Sequence, residues 1–297
     1  MLKDLLQPII PGMFLLPSDN GGRFPQSHCV VVRGDTETLI DTGCGINRLK
    51  QLKEYWSPER VIVSHSHPDH ASGLWLFEGV RSHSPVQHSD KFFVLEKLAP
   101  RLVEPGPLEP QWIEFIKAAT GARNARATDH FGDGHVFDLG RIKLEALHAP
   151  GHIDDNYVFF DHHNGVALAF DIDLTKFGPW YGHAESDPDG FSAAIEAVKR
   201  LDPKILVSSH KGAVTDDIQG RLDEYAAIIE RRDSTILDLL SLHKNLVDLI
   251  DASPIYGGFP YAPAIMRFWE GQMILKHLQR MEKKGLVRRE GDCWHKA

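Results

Sequence analysis

Several β-forming runs in this chain stop on a residue able to grip a metal, and that habit restricts the folds open to it more than any bulk property does. RVIVSH (60–65) leads straight into SHPDH, RIKLEALHAPGH (141–152) ends at His152, GVALAFDID (165–173) carries Asp171, and KILVSSHKG (204–212) carries His210. Strand ends converging at one sheet edge are where open α/β proteins build their sites. Side chains two apart lie on one side of an extended segment, so His65 and His67 are expected to share a face. Pro68 forces a turn, and Asp69 and His70 follow across it. Imidazole and carboxylate suit zinc, iron and manganese alike, and one ion needs only three or four ligands. Four candidates in a single loop therefore suggest two ions.

The elements between these runs predict α/β layers. CVVVRG (29–34) and ETLIDTG (37–43), divided by Gly34 and Asp35, predict a hairpin; INRLKQLKEYW (46–56) has Ile46, Leu49, Leu52 and Trp56 at helical spacing. After the loop come a short helix in ASGLWLFEG and a strand and turn in RSHSPVQHS, then two helices, KFFVLEKLA and EPQWIEFIKAAT, which make residues 90–128 a helical insertion. Strands resume with HVFDLG from 135, and FSAAIEAVKRL supplies a helix. Beyond residue 216, two amphipathic helices (221–243 and 264–285) bracket the Pro/Gly-rich ASPIYGGFPYAP, and GLVRREGDCWHKA ends the chain as a hairpin. The expected division is 1–215 and 216–297, the second part winged-helix-like.

At this point a family resemblance becomes specific. HSHPDH (65–70) matches the HxHxDH signature of the metallo-β-lactamase-fold hydrolases, IDTG (40–43) matches their preceding strand and turn, and DGHVFDLGRIKLEALHAPGH (133–152) resembles their lead-in to the third metal motif. The resemblance covers residues 10–215. It implies an αββα sandwich, α/β (α+β) in class, with His65, His67 and His152 on a first divalent ion, Asp69, His70 and His210 on a second, and Asp171 bridging them. Zinc is the expected metal, with iron or manganese as substitutes. The carboxylate bridge resembles the thioesterase, lactonase and nuclease branches, whereas true zinc β-lactamases carry a cysteine there, so antibiotic hydrolysis is disfavoured. A histidine at 67, where flavodiiron proteins carry glutamate, argues against that branch. Two ions would acidify a shared water and polarise the bond it attacks, and Asp69 would orient that nucleophile or shuttle its proton.

Other residues are weighed against simpler roles. Asp41 is expected to support the ligand loop through its carboxylate, and His148 to pack beside it rather than bind metal. His83, His88, His162 and His163 are expected to be solvated, while Ser27 and His28 could face the site. Asp173 would share a side with Asp171 if the strand continued and be redirected by a turn. Phe177, Trp180 and Tyr181 follow the bridge directly and are the substrate-pocket candidates, with the Tyr181 hydroxyl as a donor to substrate. HIDDNY (152–157) departs from the small-residue sequence of glutathione-thioester hydrolases, which weakens a glyoxalase II assignment.

The leading expectation is a hydrolase of small-molecule thioesters, esters or lactones, with the insertion as a lid. The alternative is a nuclease on single-stranded RNA, because the C-terminal part resembles the tail of the β-lactamase-like protein 2 group and clusters Arg280, Lys283, Lys284, Arg288 and Arg289. A net charge of -8 argues against a general nucleic-acid binder, and those cations more simply complement a helix end. Every expected ligand is in place, so a non-enzymatic scaffold is disfavoured. Cys29, Cys44 and Cys293 form no CxxC pair, which fits a reducing, cytoplasmic setting without disulfides. No run approaches the roughly 18 apolar residues of a membrane span, and the sequence is compatible with a monomer or a homo-oligomer.

Overall fold

Val30, Val31 and Val32 are all buried, which three consecutive strand residues can be only where both faces of the sheet are covered. The computed structural model describes residues 2–242 and 245–297, and it stacks two such sheets face to face. The first holds β1 (Gln7–Ile10), β2 (Met13–Leu16), β3 (Cys29–Val32), β4 (Thr38–Ile40), β5 (Arg60–Ile62), β6 (Arg81–Pro85) and β7 (Asp129–Phe131) in sequence order. Pairs up to β3–β4 are antiparallel and those from β4–β5 onward are parallel. The second runs β13 (Gly212–Val214), β12 (Ile205–Ser208), β11 (Val166–Phe170), β10 (Tyr157–Asp161), β9 (Lys143–His148), β8 (Val136–Asp138). Only β11 and β12 are parallel there, joined through helix α6 (Pro188–Arg200).

Strand alternation sorts the side chains into three layers. Val30, Val32, Ile40 and Ile62 meet Leu144, Phe159 and Leu168 between the sheets. Val31, Leu39 and Val61 point the other way, against helices α2 (Ile46–Tyr55), α4 (Leu95–Leu102) and α5 (Leu108–Thr120). On the far side Val158, Ala169 and Leu206 meet α6 and α7 (Ile218–Leu239). This is the expected αββα sandwich. The insertion is built into it: Leu95, Leu98, Leu102, Trp112 and Ile116 are buried in the first helical layer.

After α7 come α8 (Leu246–Ala252), α9 (Pro263–Lys283) and the hairpin β14 (Val287–Glu290) with β15 (Cys293–Lys296). The helix expected over 221–243 ends at Leu239, and its last residue, His243, lies outside the described residues. Helix α8 was not expected; its cap is Asn245, whose side chain accepts from the Asp248 amide at 2.8 Å. Leu249, Ile274, Leu278, Val287 and Trp294 form a cluster of their own. Helix α9 also reaches back, giving Ile265, Met266 and Trp269 to the first helical layer and Met273 to the other.

One expectation about surface residues fails. His83 is buried, because β6 lies inside its sheet between β5 and β7, and its ring packs edge-on against Phe137 at 5.4 Å. Burial there, assisted by Arg60, lowers its pKa to about 4. Of the C-terminal cations, Lys283, Lys284, Arg288 and Arg289 are exposed and Arg280 is not. Arg280 is buried on Asp189, Glu230 and Asp233, Lys284 lies 3.6 Å from Glu230, and Arg288 donates to Glu290 at 2.8 Å. No helix among the described residues is long and apolar enough to cross a membrane.

Candidate metal centre

Each candidate ligand is delivered by a loop at the sandwich's edge. Strand β5 ends at Ile62, because the Ser64 amide donates to Asp41 Oδ1 at 2.8 Å instead of continuing the ladder. His65 and His67 therefore sit on a loop and not on the strand expected, and His67 caps the short helix α3 (Pro68–Ala71) that holds Asp69 and His70. Gly43 packs against this turn so closely that a Cβ would lie 1.4 Å from the Asp69 carbonyl oxygen. Asp171 follows Phe170, whose φ of 47° is in the left-handed region, where a register shift lets the chain leave β11. His152 follows β9 and His210 follows β12.

The loops converge. Ligand atoms of His65, His67, His152 and Asp171 form one group within 4.8 Å of one another, and those of Asp69, His70, Asp171 and His210 form another. Asp171 belongs to both. Its Oδ2 is 3.0 Å from His152 Nε2 and 3.6 Å from His65 Nε2, while its Oδ1 is 3.0 Å from His70 Nε2 and 3.5 Å from His210 Nε2.

The outer nitrogens of these rings show what the inner ones are for. His152 Nδ1 donates to the Trp180 carbonyl at 2.7 Å and His210 Nδ1 to the Gly22 carbonyl at 2.6 Å. A carbonyl only accepts, so in the neutral rings the proton is on Nδ1 and a lone pair is left on Nε2. His70 Nδ1 meets Asp41 Oδ2 at 2.7 Å and His65 Nδ1 meets Ser64 Oγ at 3.0 Å. Asp41 thus supports the ligand loop, as its place in IDTG suggested. The inward Nε2 atoms of His65 and His70 and Oδ1 of Asp171 are buried without a hydrogen bond. Converging, orphaned donors of electron density of this kind suit divalent cations better than any hydrogen-bonded packing.

Charge tells the same story. Burial, then neighbouring histidines, push His65 and His67 well below the ordinary imidazole range. For His70 burial also pulls downward, but Asp171, Asp41 and Asp69 outweigh it and hold the pKa well above that range. His210 is pushed up to about 9 against burial, chiefly by Asp171. Without cations, the site draws in protons to balance its carboxylates.

Around this floor is a cavity of about 380 Å³. Its walls include Trp112 of α5, Phe177 and Trp180 from the run after Asp171, Tyr256 and Tyr261 between α8 and α9, and Trp269 of α9. Phe24, Phe115 and Tyr261 stack in sequence, at 6.4 and 6.2 Å between centroids. Among the described residues that line the cavity, Arg23 is the one Arg or Lys. Asp173 also lines it, turned there by a bend in which its Oδ1 accepts from the Thr175 amide at 2.9 Å.

Tyr181 is not in this wall, contrary to expectation. It is fully buried, its hydroxyl engaged by His277 Nε2 at 2.7 Å and Arg232 at 2.9 Å, so it has no donor to offer a substrate. Arg232 also donates to the carbonyls of Phe177 and Pro179, clamping the aromatic run from α7. Arg232→Ala is expected to lower unfolding free energy by about 3 kcal/mol in urea titrations, since it strands several buried acceptors. Ser27 does not face the cavity: its hydroxyl donates to the Asp69 carbonyl at 2.5 Å. His28 accepts from the Ser18 amide at 3.0 Å, and His148 lies 2.7 Å from the Asp154 carbonyl, outside both ligand groups.

Residues with no expected role also appear. Arg101 of α4 holds Glu185 at 2.6 Å and donates to Ser66 Oγ at 3.3 Å, tying the insertion to the ligand loop. His183 is buried, with Nε2 2.9 Å from His67 Nε2.

A family model described as the metallo-beta-lactamase superfamily matches residues 22–210, the span that holds every one of these ligands. The chain belongs to the metallo-beta-lactamase superfamily. Within that superfamily it is 25% identical over 256 residues to an atrochrysone carboxyl ACP thioesterase, dmxR1, of Cryptosporiopsis sp. (strain 8999), covering 82% of this chain and 67% of that protein. It is 26% identical over 188 residues to the acyl-coenzyme A thioesterase MBLAC2 of Gallus gallus, covering 56% of this chain and 64% of the relative. A metallo-beta-lactamase family protein from Thermus thermophilus shares the fold, with a TM-score of 0.75 and 22% identity over 98% of this chain and 100% of that one. The superfamily and its hydrolase and thioesterase members identify this chain as a metal-dependent hydrolase.

Proposed function

We propose that the protein hydrolyses thioesters of apolar acyl groups, using two divalent ions, zinc in the first instance, in the cavity above Asp171. The observation that carries this reading is the contrast between floor and wall: converging histidines and carboxylates below, and aromatic rings with a single cationic side chain above. His65, His67 and His152 would hold one ion, Asp69, His70 and His210 the other, and Asp171 both. When bound, such ions supply a water acidic enough to attack near neutral pH and an electrophile for the substrate's carbonyl oxygen.

The chain's own groups do the rest. Trp180, Tyr256 and Trp269 hold the acyl group and keep bulk water away from the reacting bond, which strengthens every charge interaction beneath it. Asp69, whose Oδ2 lies 3.6 Å from His210 Nε2, is placed to take a proton from the attacking water and deliver it to the departing thiolate. The thioesterase names of the relatives support a thioester over a lactone or simple ester. The burial of Arg280, and the pairing of Lys284 and Arg288 with acidic neighbours, support an acyl substrate over RNA, which needs clustered, available cations.

The test is turnover by zinc-loaded protein on acyl-coenzyme A thioesters, aryl esters, homoserine lactones and single-stranded RNA, with His65→Ala/His67→Ala as the control. Thioesters are expected to give the highest kcat/KM; cleavage of RNA alone would overturn the proposal. Trp269→Ala is expected to raise KM for an apolar acyl thioester about tenfold, the equivalent of about 1.4 kcal/mol of contact, while the ion content stays that of the wild type.

A further inference from the structure

The outer nitrogen of each other metal-facing histidine ends on a carbonyl, a carboxylate or a hydroxyl, and His67 differs. Its Nδ1 faces inward, 2.8 Å from His152 Nε2, and its outward Nε2 meets a second imidazole, Nε2 of His183, at 2.9 Å. Two imidazole nitrogens can share one hydrogen bond only if one has the proton and the other a lone pair, so the tautomer of His183 biases that of His67 against the competing contact with His152.

The tautomer of His183 is set from outside. Its Nδ1 lies 2.7 Å from the Leu102 carbonyl at the end of α4, which can only accept. A neutral His183 therefore places its proton on Nδ1, leaving Nε2 to receive the Nε2 proton of His67. That in turn leaves a lone pair on His67 Nδ1. The chain of bonds thus starts at a backbone carbonyl of the helical insertion and ends at the atom aimed into the first cluster. The ring of His183 has little freedom to break it: it is 2% exposed, its centroid is 4.7 Å from that of Trp180, and its backbone amide donates to Ser186 Oγ at 3.3 Å.

We infer that His183 is a positioning residue, which through the Leu102 carbonyl favours the Nε2-protonated form of His67 and so favours the form in which the first ion's site can bind. The inference rests on the two-ion reading of the centre, but its spectroscopic signature does not need an ion. In the opposite tautomer His67 Nδ1–H would donate to the lone pair of His152 Nε2 at 2.8 Å and so occupy the position an ion would take; the acceptor on His183 shifts the balance away from it. Partners of this kind usually contribute a factor of about 10 to 100 in metal affinity.

His183→Phe fills the ring's volume without an acceptor, and His183→Gln restores one, its amide oxygen able to accept from His67. In ion-free protein, long-range 15N–1H spectra of the histidine rings are expected to show the Nε2–H tautomer of His67 more populated in the wild type and the Gln variant than in the Phe variant, where Nδ1–H bonded to His152 Nε2 takes over. Zinc titration against a chromophoric chelator should show the affinity of one site falling about 10- to 100-fold in the Phe variant, the second site moving less than about twofold, and the Gln variant recovering most of the loss. A Phe variant with an unchanged His67 spectrum, or with both sites at wild-type affinity, overturns the assignment to His183. A wild type that takes up no second ion, with its His67 spectrum still dependent on residue 183, overturns the two-ion reading and leaves the tautomer control standing.

Discussion

Asp171→Ala is expected to lower thioester turnover at least about a thousandfold, about 4 kcal/mol of transition-state stabilisation, and to bring zinc content below one ion per chain. The size follows from position. Asp171 is the one residue common to both ligand groups, with one carboxylate oxygen facing His65 and His152 and the other facing His70 and His210. Its removal takes a negative ligand from each ion together. It also leaves a cluster of buried imidazoles without the carboxylate that His70, His152 and His210 hold ionised despite its burial. Elemental analysis alongside kcat/KM checks the result. Near-normal turnover with two ions retained would exclude a bridging role. Asp171→Asn, which keeps the shape and loses the charge, is expected to fall on the same side as alanine.

The second large effect comes from a residue with no side chain. In Gly43→Ala the new methyl would lie 1.4 Å from the Asp69 carbonyl oxygen and 2.1 Å from its carbonyl carbon, both backbone atoms. Neither can rotate away as a side chain would, so the turn holding Asp69 and His70 has to shift. A loss of about 3 kcal/mol is expected, the upper end of ordinary overpacking, along with weakened binding at the Asp69, His70 and His210 site. Urea unfolding of ion-free protein separates the packing cost from lost ligation. Gly132→Ala is the control: its methyl would meet only Val86 Cγ1, at 3.7 Å, and its effect is expected within about 0.5 kcal/mol. Similar midpoints for the two variants would show that the close approach of Gly43 is not constraining.

The layers and the loop of ligand candidates could be read from the chain because both rest on short-range periodicity. Valines and leucines alternating between sheet and helix layers, and histidines at intervals of two and three in HSHPDH, are local patterns that any fold must accommodate. What could not be read depends on long-range approach. His183 follows GPWYG at no spacing that marks a ligand, and only folding brings it to His67, from 116 positions away. Tyr181 and Trp180 are neighbours in sequence, yet one is turned inward onto Arg232 and His277 while the other faces the cavity; no pattern in FGPWYG says which. His83 looked solvated because RSHSP is polar, but β6 has a partner strand on each side and Phe137 across it. Tyr256, Tyr261 and Trp269 belong to a stretch whose local pattern spoke only of a linker and an amphipathic helix.

The separation of floor and wall has a consequence for descent and for redesign. The candidate metal ligands sit in loops and the short helix α3 at the ends of the sheets, while Trp112, Tyr256, Tyr261 and Trp269 stand on helices and a connection that hold no candidate ligand. Exchange of those segments would retarget the enzyme while the hydrolytic machinery is inherited whole. Selection can thus explore new substrates in one part of the gene without risking the chemistry encoded in another.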